Sequence, residues 1–229
     1  MEPTTATVAV AVTATENMNP IVRAFNEGGS VMYVIAFIGV LTAILIIERF
    51  MTLKALRVDK KEFTDQVFRM IIGGDVRQAI SFCDSRPTPL SNTVKAGLVT
   101  AMNKRPDEEI QVAMDASVMR ETPRLEGWTS FLAVFGNIAV LAGLLGTIFG
   151  MIGSFRAVAT ADPATKATLL SEGIAHALNC TGFGLTVSII AIVAYGLFQH
   201  MIQKAENEMI ETSMSLLNLV TANRDKIKD

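Results

Sequence analysis

Residues 136–154 read GNIAVLAGLLGTIFGMIGS, and this stretch decides the fold of the chain. It lies inside a run from Gly127 to Phe155 that has no charged residue and is long enough to cross a bilayer as a helix. At about 100° per residue, its small residues fall within about 100° of one another. They are Gly136, Ala139, Gly143, Gly146, Thr147, Gly150, Gly153 and Ser154. Such a face lets another backbone approach closely, so we expect the functional surface here.

The composition indicates a membrane protein. Half of the 229 residues are hydrophobic and the mean hydropathy is +0.40, which is too apolar for an ordinary soluble domain. Two further uncharged runs, Gly28–Ile47 and Gly173–Gln203, reach the roughly 20 residues that a span needs. No strand pattern or internal repeat is evident. The predicted class is an all-α membrane protein with three transmembrane helices and long cytoplasmic helical extensions.

The distribution of basic residues predicts the orientation. Thirteen of the 20 Lys and Arg residues lie between the first and second runs, and four more follow the third. Only Arg23, Arg156 and Lys166 lie on the opposite side. The positive-inside rule therefore places the N-terminus outside and the large loop and tail in the cytoplasm.

These signals divide the chain into seven segments. We predict an extracytoplasmic arm and interfacial helix at 1–29, a first span at 30–48, a cytoplasmic helical domain at 49–128, a second span at 129–155, a short periplasmic loop at 156–175, a third span at 176–199 and a cytoplasmic helix at 200–229. The interfacial helix covers Asn19–Glu27, and the arm before it is expected to be mobile, with a short β-forming segment as the alternative. It lacks the basic start and apolar core of a signal peptide.

The cytoplasmic domain shows helical spacing throughout. One helix is expected to run on from Arg49 until Gly73-Gly74-Asp75, which ends it and caps the next. Further helices are predicted at Val76–Cys83, Leu90–Asn103 and from Asp107 toward Trp128. The last is expected to merge with the second span, with a kink at Pro123.

The outer loop makes spans two and three an antiparallel hairpin. Thr147 and Thr181 lie about equally far from the loop, so the two hydroxyls are expected at the same depth and as lining of a shared polar path. The alternative for each Thr is a bond to the carbonyl of its own helix. The third span has its own small or polar face around Thr181, comprising Ala177, Gly184, Ser188, Ala191, Tyr195 and Gln199. Close packing inside one subunit is the alternative function of the glycines.

Titratable and catalytic groups are scarce in the spans. No span carries an Asp or Glu near its centre, so a proton path would need a carboxylate from a partner. His176 is a candidate proton relay, and an interfacial, hydrogen-bonded His is the alternative. Nucleotide-binding, hydrolase and metalloprotease motifs are lacking, as are metal-cluster cysteines, because Cys83 and Cys180 are the only two. We therefore expect no enzyme, no cofactor, no metal and no nucleic-acid partner.

Three segments resemble the MotA/TolQ/ExbB proton-channel family. They are Gly143–Phe155 (GLLGTIFGMIGSF), Gly173–Leu185 (GIAHALNCTGFGL) and the first span, Gly28–Phe50. The likeness covers nearly the whole chain and is nearest to the ExbB/TolQ branch, including gliding-motility relatives. The flagellar-stator branch typically has four spans, and this sequence shows three.

This resemblance implies a pentameric ring in the bacterial inner membrane around a dimer of single-span ExbD/TolR-like partners. The partner's membrane Asp would carry the proton, and Thr147 and Thr181 match the pore-facing threonines. The small residues expected to pack against the partner helix are Gly143, Gly146, Gly150, Ala177, Gly184 and Ser188. The sequence departs from the family at His176, where relatives commonly carry Glu, and at Asn179-Cys180.

The resemblance implies a motor subunit that couples proton flow to work on the cell envelope, in transport, envelope integrity or gliding. Two hypotheses of other classes are a non-conducting membrane scaffold and a self-sufficient ion channel. A flagellar-stator-like motor subunit is a further alternative. A single-span partner with an Asp in its membrane helix would favour the motor, and its absence would favour the scaffold.

Overall fold

The computed structural model describes residues 29–56 and 60–223, and within these ranges the chain forms seven helices and no strand. They are α1 (Gly29–Ala55), α2 (Lys60–Ile72), α3 (Val76–Ser85), α4 (Pro89–Met102), α5 (Asp107–Glu126), α6 (Thr129–Thr160) and α7 (Lys166–Ala222). Three candidate spans, which include α1, α6 and α7, are long and apolar enough to cross a membrane. The all-α membrane class is thus confirmed. The predicted arm, the interfacial helix Asn19–Glu27 and the last residues of the tail lie outside the described ranges.

The chain divides into two compact units. Of the described residues, the first unit, here the span unit, comprises 29–46 together with Phe131–Ala194. The second, here the polar unit, comprises the described residues of Ile47–Ser130 and those from Tyr195 to Asn223. Helices α1, α6 and α7 each contribute residues to both units.

The span unit has an apolar exterior. On α1, Met32, Ile35 and Thr42 are buried at helical spacing. Large apolar side chains nevertheless face outward, such as Leu141 at 63% and Leu178 at 65% exposure. Exposed apolar surface of this extent is costly in water, so the unit suits contact with lipid or with another apolar chain.

The polar unit has a conventional buried core. Helix α2 buries Phe63, Val67 and Ile71 at helical spacing, and its opposite side is charged. Gly97 of α4 lies directly against Met114 of α5, since a Cβ at position 97 would lie 2.6 Å from the Met114 sulfur. The small residue on α4 therefore allows the two helices to approach closely.

A buried carboxylate ties α4 to α5. Glu121 is 4% exposed and accepts hydrogen bonds from the Asn92 side chain at 3.1 Å and from Arg124 at 2.8 Å. At the start of α4, Thr88 and Ser91 form a reciprocal capping box that satisfies free backbone N–H groups. These polar contacts fix the register of the two helices that precede α6.

Helix α5 does not merge with α6 as the sequence suggests. Pro123 lies within α5, which continues to Glu126, and the chain breaks at Gly127, where φ is +41°. The Arg49 guanidinium lies against this glycine, and a Cβ there would overlap one of the guanidinium nitrogens. Both the left-handed backbone and the adjacent guanidinium favour glycine at this position. The interruption thus occurs at a tertiary contact and not at the proline.

Other boundaries also differ from the sequence-based divisions. Helix α1 is described to Ala55 and α2 from Lys60, and residues 57–59, through which the predicted helix from Arg49 would run, lie outside the described ranges. The segment between α6 and α7 is residues 161–165, because both helices extend into the predicted 156–175 loop. The predicted end at Gly73-Gly74 is confirmed, with φ +88° at Gly74. Asp75 occupies the N-cap position of α3 but makes no capping side-chain bond.

Candidate functional site on the α6–α7 helix pair

Within the span unit, α6 and α7 approach so closely that backbone meets backbone. A Cβ on Gly184 would lie 2.6 Å from the carbonyl oxygen of Ala139. A Cβ on Gly143 would lie 3.1 Å from the Cys180 carbonyl oxygen and 3.2 Å from the Thr181 Cα. Such contacts require glycine, and they maximise packing between helices that gain nothing from hydrophobic burial in lipid.

The small-residue stripe of α6 is directed at the matching stripe of α7. The facing pairs are Gly136 with Ala191, Gly143 with Gly184, Gly146 with Cys180, Gly150 with Ala177, and Ser154 with Gly173. The predicted packing residues Gly143, Gly146, Gly150, Ala177 and Gly184 therefore have a neighbouring helix within the same chain. Ser188 is also buried, and its carbonyl lies beside Gly136. By contrast, Gly153 and Gly182 have open space where a side chain would project.

The two candidate hydroxyls make different bonds. The Thr181 hydroxyl donates to the Gly143 carbonyl on α6 at 3.3 Å. The Thr147 hydroxyl donates to the Leu144 carbonyl of its own helix at 2.6 Å. From the facing pairs, the point on α6 that lies opposite Thr181 is about two residues from Thr147. This is a displacement of about 3 Å along the helix axis. The hydroxyls are close in level, but each donates its proton to a carbonyl.

A cleft of about 710 Å³ lies between α6 and α7 near the connecting segment. Its polar lining includes His176, Glu172 and Ser154. The His176 ring also packs against Gly29, the first residue of α1, where φ is +60° and a Cβ would lie 2.5 Å from the ring. His176 therefore lies where all three helices of the span unit meet.

Around Thr147 and Thr181, the uncharged segments of α6 and α7 offer hydroxyl groups and no carboxylate. Residues 131–155 and 173–194 contain no Asp, Glu, Lys or Arg. Both threonine oxygens keep lone pairs that can accept a hydrogen bond from an incoming protonated group. Within the described ranges, no group of three or more His, Cys, Asp or Glu side chains is placed to hold a metal ion.

Several contact residues were not singled out from the sequence. Cys180 supplies both a backbone oxygen and a side chain to the α6 glycines, and Gly173 accommodates Ser154. Gly29 receives the His176 ring. The predicted hairpin could have identified one of these contacts. Pairing residues that are equally far from the middle of the loop places Ser154 opposite Gly173.

Comparison with known proteins places this helix pair in a recognised context. A sequence model of the MotA/TolQ/ExbB proton channel family matches residues 85–211, which is more than half of the chain. The structure is also similar to the structure of C. jejuni MotAB, with a TM-score of 0.58 at 13% identity, covering 97% of this chain and 87% of that one. At this identity the structural likeness concerns the fold alone.

Two similar sequences come from Pseudomonas. The Tol-Pal system protein TolQ of Pseudomonas aeruginosa is 40% identical over 103 residues, which cover 45% of this chain and 42% of that protein. The biopolymer transport protein ExbB of Pseudomonas putida is 30% identical over 118 residues, which cover 52% of this chain and 36% of that protein. The chain thus aligns with less than half the length of each.

Proposed function

Because the chain belongs to the MotA/TolQ/ExbB proton channel family, we propose that it is a ring subunit of a motor driven by the proton-motive force. Five copies surround a dimer of a single-span ExbD/TolR-like protein in the bacterial inner membrane. Proton flow through the complex is coupled to mechanical work on the cell envelope, in transport, envelope integrity or gliding. The subunit itself catalyses no covalent reaction and uses no cofactor.

The observation that carries this proposal is a pair of hydroxyls on segments of α6 and α7, residues 131–155 and 173–194, that contain no carboxylate. Thr147 is partly exposed, and its oxygen is available to a group outside the chain. A protonated Asp of a partner helix could donate to this oxygen and, after losing its proton, form other contacts. A carboxylate at membrane depth is the usual proton carrier, and here it comes from the partner.

The orientation follows from charge. The basic residues of α2, α3 and α4 would lie in the cytoplasm, and the segment 161–165 would lie in the periplasm. The N-terminus is then periplasmic and the C-terminus cytoplasmic. Reporter fusions to the 161–165 segment and to the end of α7 would test this assignment, and it fails if both report the same side.

The test of the function is a pair of valine substitutions. Thr147→Val with Thr181→Val should abolish partner-dependent proton flux in liposomes while the ring still assembles, because valine keeps the shape and removes the oxygen. Thr186→Val is the matched control, since its hydroxyl is exposed and bonds only to the Gly182 carbonyl of its own helix. Normal flux in the double variant would overturn the proposal.

A static scaffold is the second candidate, and a specific observation favours it. Most glycines of the α6 stripe pack against α7 of the same chain, and a static scaffold would need the same packing. Co-purification distinguishes the two hypotheses, because a motor subunit retains a single-span protein with an Asp in its membrane helix. Reconstitution of the chain alone distinguishes a self-sufficient channel, and we expect no proton flux from it.

His176 is a secondary candidate for proton transfer in the proposed motor. It lines the outer cleft with Glu172 and could pass protons toward the threonines. Its packing against Gly29 and Gly150 gives it a structural role as well. We expect His176→Ala to retain most activity at neutral pH, and complete loss of flux in an assembled ring would show instead that the relay is essential.

A further inference from the structure

The polar unit contains a mainly apolar cavity of about 180 Å³ that is open on one side. Four helices supply most of its walls, with Leu53 from α1, Leu90 from α4, Leu125 from α5, and Ala205 and Met209 from α7, and Leu56 adds to them just after the end of α1. A buried cavity of about 150 Å³ lined by aliphatic and aromatic side chains is known to admit benzene. The volume here is therefore sufficient for the end of a hydrocarbon chain.

The rim of this cavity is charged with both signs. His200, Lys204 and Glu208 border the cavity and also line a neighbouring cleft of about 420 Å³. That cleft adds Lys60 and Glu211, which form an ion pair. Lys204 and Glu208 lie 4.0 Å apart. Among the described residues of this rim, two Lys and two Glu side chains carry equal and opposite formal charge, which suits a headgroup with one positive and one negative charge.

The rim also lies where the sequence passes from apolar to charged. On α7 the uncharged run ends at Gln203, and Lys204 is the first charge after it. On α1 the uncharged run ends at Ile47, and Leu53 follows within two helical turns. Helix positions of this kind coincide with the boundary between hydrocarbon and headgroups, where Lys side chains extend toward the polar layer. Phospholipid is the amphiphile present at that boundary.

We propose that this cavity is a seat for one zwitterionic phospholipid with a primary ammonium headgroup. One acyl chain end occupies the apolar cavity, the phosphate is bound by Lys204 and Lys60, and the ammonium by Glu208 and Glu211. The bound lipid would fix α1, α4, α5 and α7 to one another at the membrane boundary. The assignment holds whether or not the ring conducts protons.

The experiment titrates the delipidated full-length chain in mild detergent with dioleoyl phosphatidylethanolamine and counts bound lipid by native mass spectrometry. We expect saturation at one lipid per chain. Ala205→Phe should weaken this binding at least tenfold because it fills the cavity. Ala116→Phe is the matched control, since it makes the same change at an exposed position of α5 and should bind normally.

Further arms test the headgroup and the fold of the variants. Dioleoyl phosphatidylglycerol and oleate should bind at least tenfold more weakly, and Glu208→Gln should reduce this preference because it removes a carboxylate assigned to the ammonium. If Ala205→Phe elutes as an aggregate, the smaller Ala205→Leu substitution takes its place. Unchanged binding in the cavity-filled variant overturns the proposal. Equal binding of the anionic lipid, or a polypeptide segment found in the cavity in place of lipid, overturns it as well.

Discussion

The hydroxyl of Thr181 donates a hydrogen bond of 3.3 Å to the backbone carbonyl of Gly143 on the facing helix. In a regular helix the same carbonyl also accepts the backbone N–H of Thr147, four residues later. This arrangement favours glycine at position 143, because a Cβ there would lie 3.2 Å from the Thr181 Cα, which is tighter than most Cβ contacts. The two threonines are therefore linked through one carbonyl group.

Thr181→Val should destabilise the helix pair more than Thr147→Val does. The first substitution removes a bond between helices, which is worth about 0.5–1.5 kcal/mol. The second removes only a bond to Leu144 in the same helix. Unfolding by SDS, followed by circular dichroism, measures both. Equal losses in the two variants would contradict the assigned hydrogen-bond partners.

Gly184→Ala should destabilise the fold by about 1–3 kcal/mol, because the new methyl group would lie 2.6 Å from the Ala139 carbonyl oxygen and would force the helices apart. Gly182→Ala is the matched control two residues away, where nothing lies within 4 Å. It should leave stability unchanged or slightly raised. Thermal unfolding in detergent compares the two, and a control as damaging as Gly184→Ala would argue against this helix register.

Gly173→Ala should be rescued by a substitution on the facing helix. A Cβ at position 173 would overlap the Ser154 hydroxyl oxygen and would lie 2.5 Å from the Ser154 Cβ. Changing Ser154→Gly removes both atoms, so the double variant should be more stable than Gly173→Ala alone. Circular dichroism during SDS titration provides the comparison. A double variant that is no more stable than the single one would show that these residues do not meet.

Cys83 should be unreactive in the folded protein. Burial, helped by the nearby charge of Asp84, raises the pKa of its thiol from 9.0 to about 12. A Cys180→Ala background leaves it as the sole thiol. Iodoacetamide should modify it at mildly alkaline pH only after unfolding, as measured by mass spectrometry. Labelling of the folded protein at the rate of a free thiol would contradict the burial.

The raised pKa of the Cys83 thiol also makes the free energy of unfolding depend on pH. The unfolded thiol ionises near pH 9, whereas the folded one stays protonated until about pH 12. The contribution of Cys83 is therefore fully present below pH 9 and is lost as the pH rises from 9 toward 12. Cys83→Ala should lack this component in chemical unfolding measured across that range. Identical pH profiles for both proteins would contradict the expectation.

The small-residue stripe shows how far sequence reasoning reaches. Periodicity identified Gly143, Gly146 and Gly150 as one face and predicted close approach by another backbone. It could not name the approaching helix, because small faces are compatible with any partner of similar shape. The structure pairs them with α7 in the same chain and leaves Gly153 and Gly182 open.

The break after α5 shows a second limit. Sequence rules direct attention to Pro123, because proline is the usual cause of a kink. The chain instead breaks at Gly127, whose backbone accommodates the guanidinium of Arg49, far away in sequence. A contact between residues so distant along the chain leaves no local pattern. The apolar cavity of the polar unit likewise combines residues of four helices that no single motif connects.

The sequence by itself determined that this chain is an all-helical membrane protein with three apolar spans, because hydrophobic length and helical periodicity are properties of local order. It also identified the family through two segments of those spans. Only the tertiary structure decided that Thr181 bonds to Gly143, that Gly184 meets Ala139 and that Arg49 lies on Gly127. These contacts define which helices pair and in which register. They depend on how several helices pack together and not on the residue pattern along any one helix.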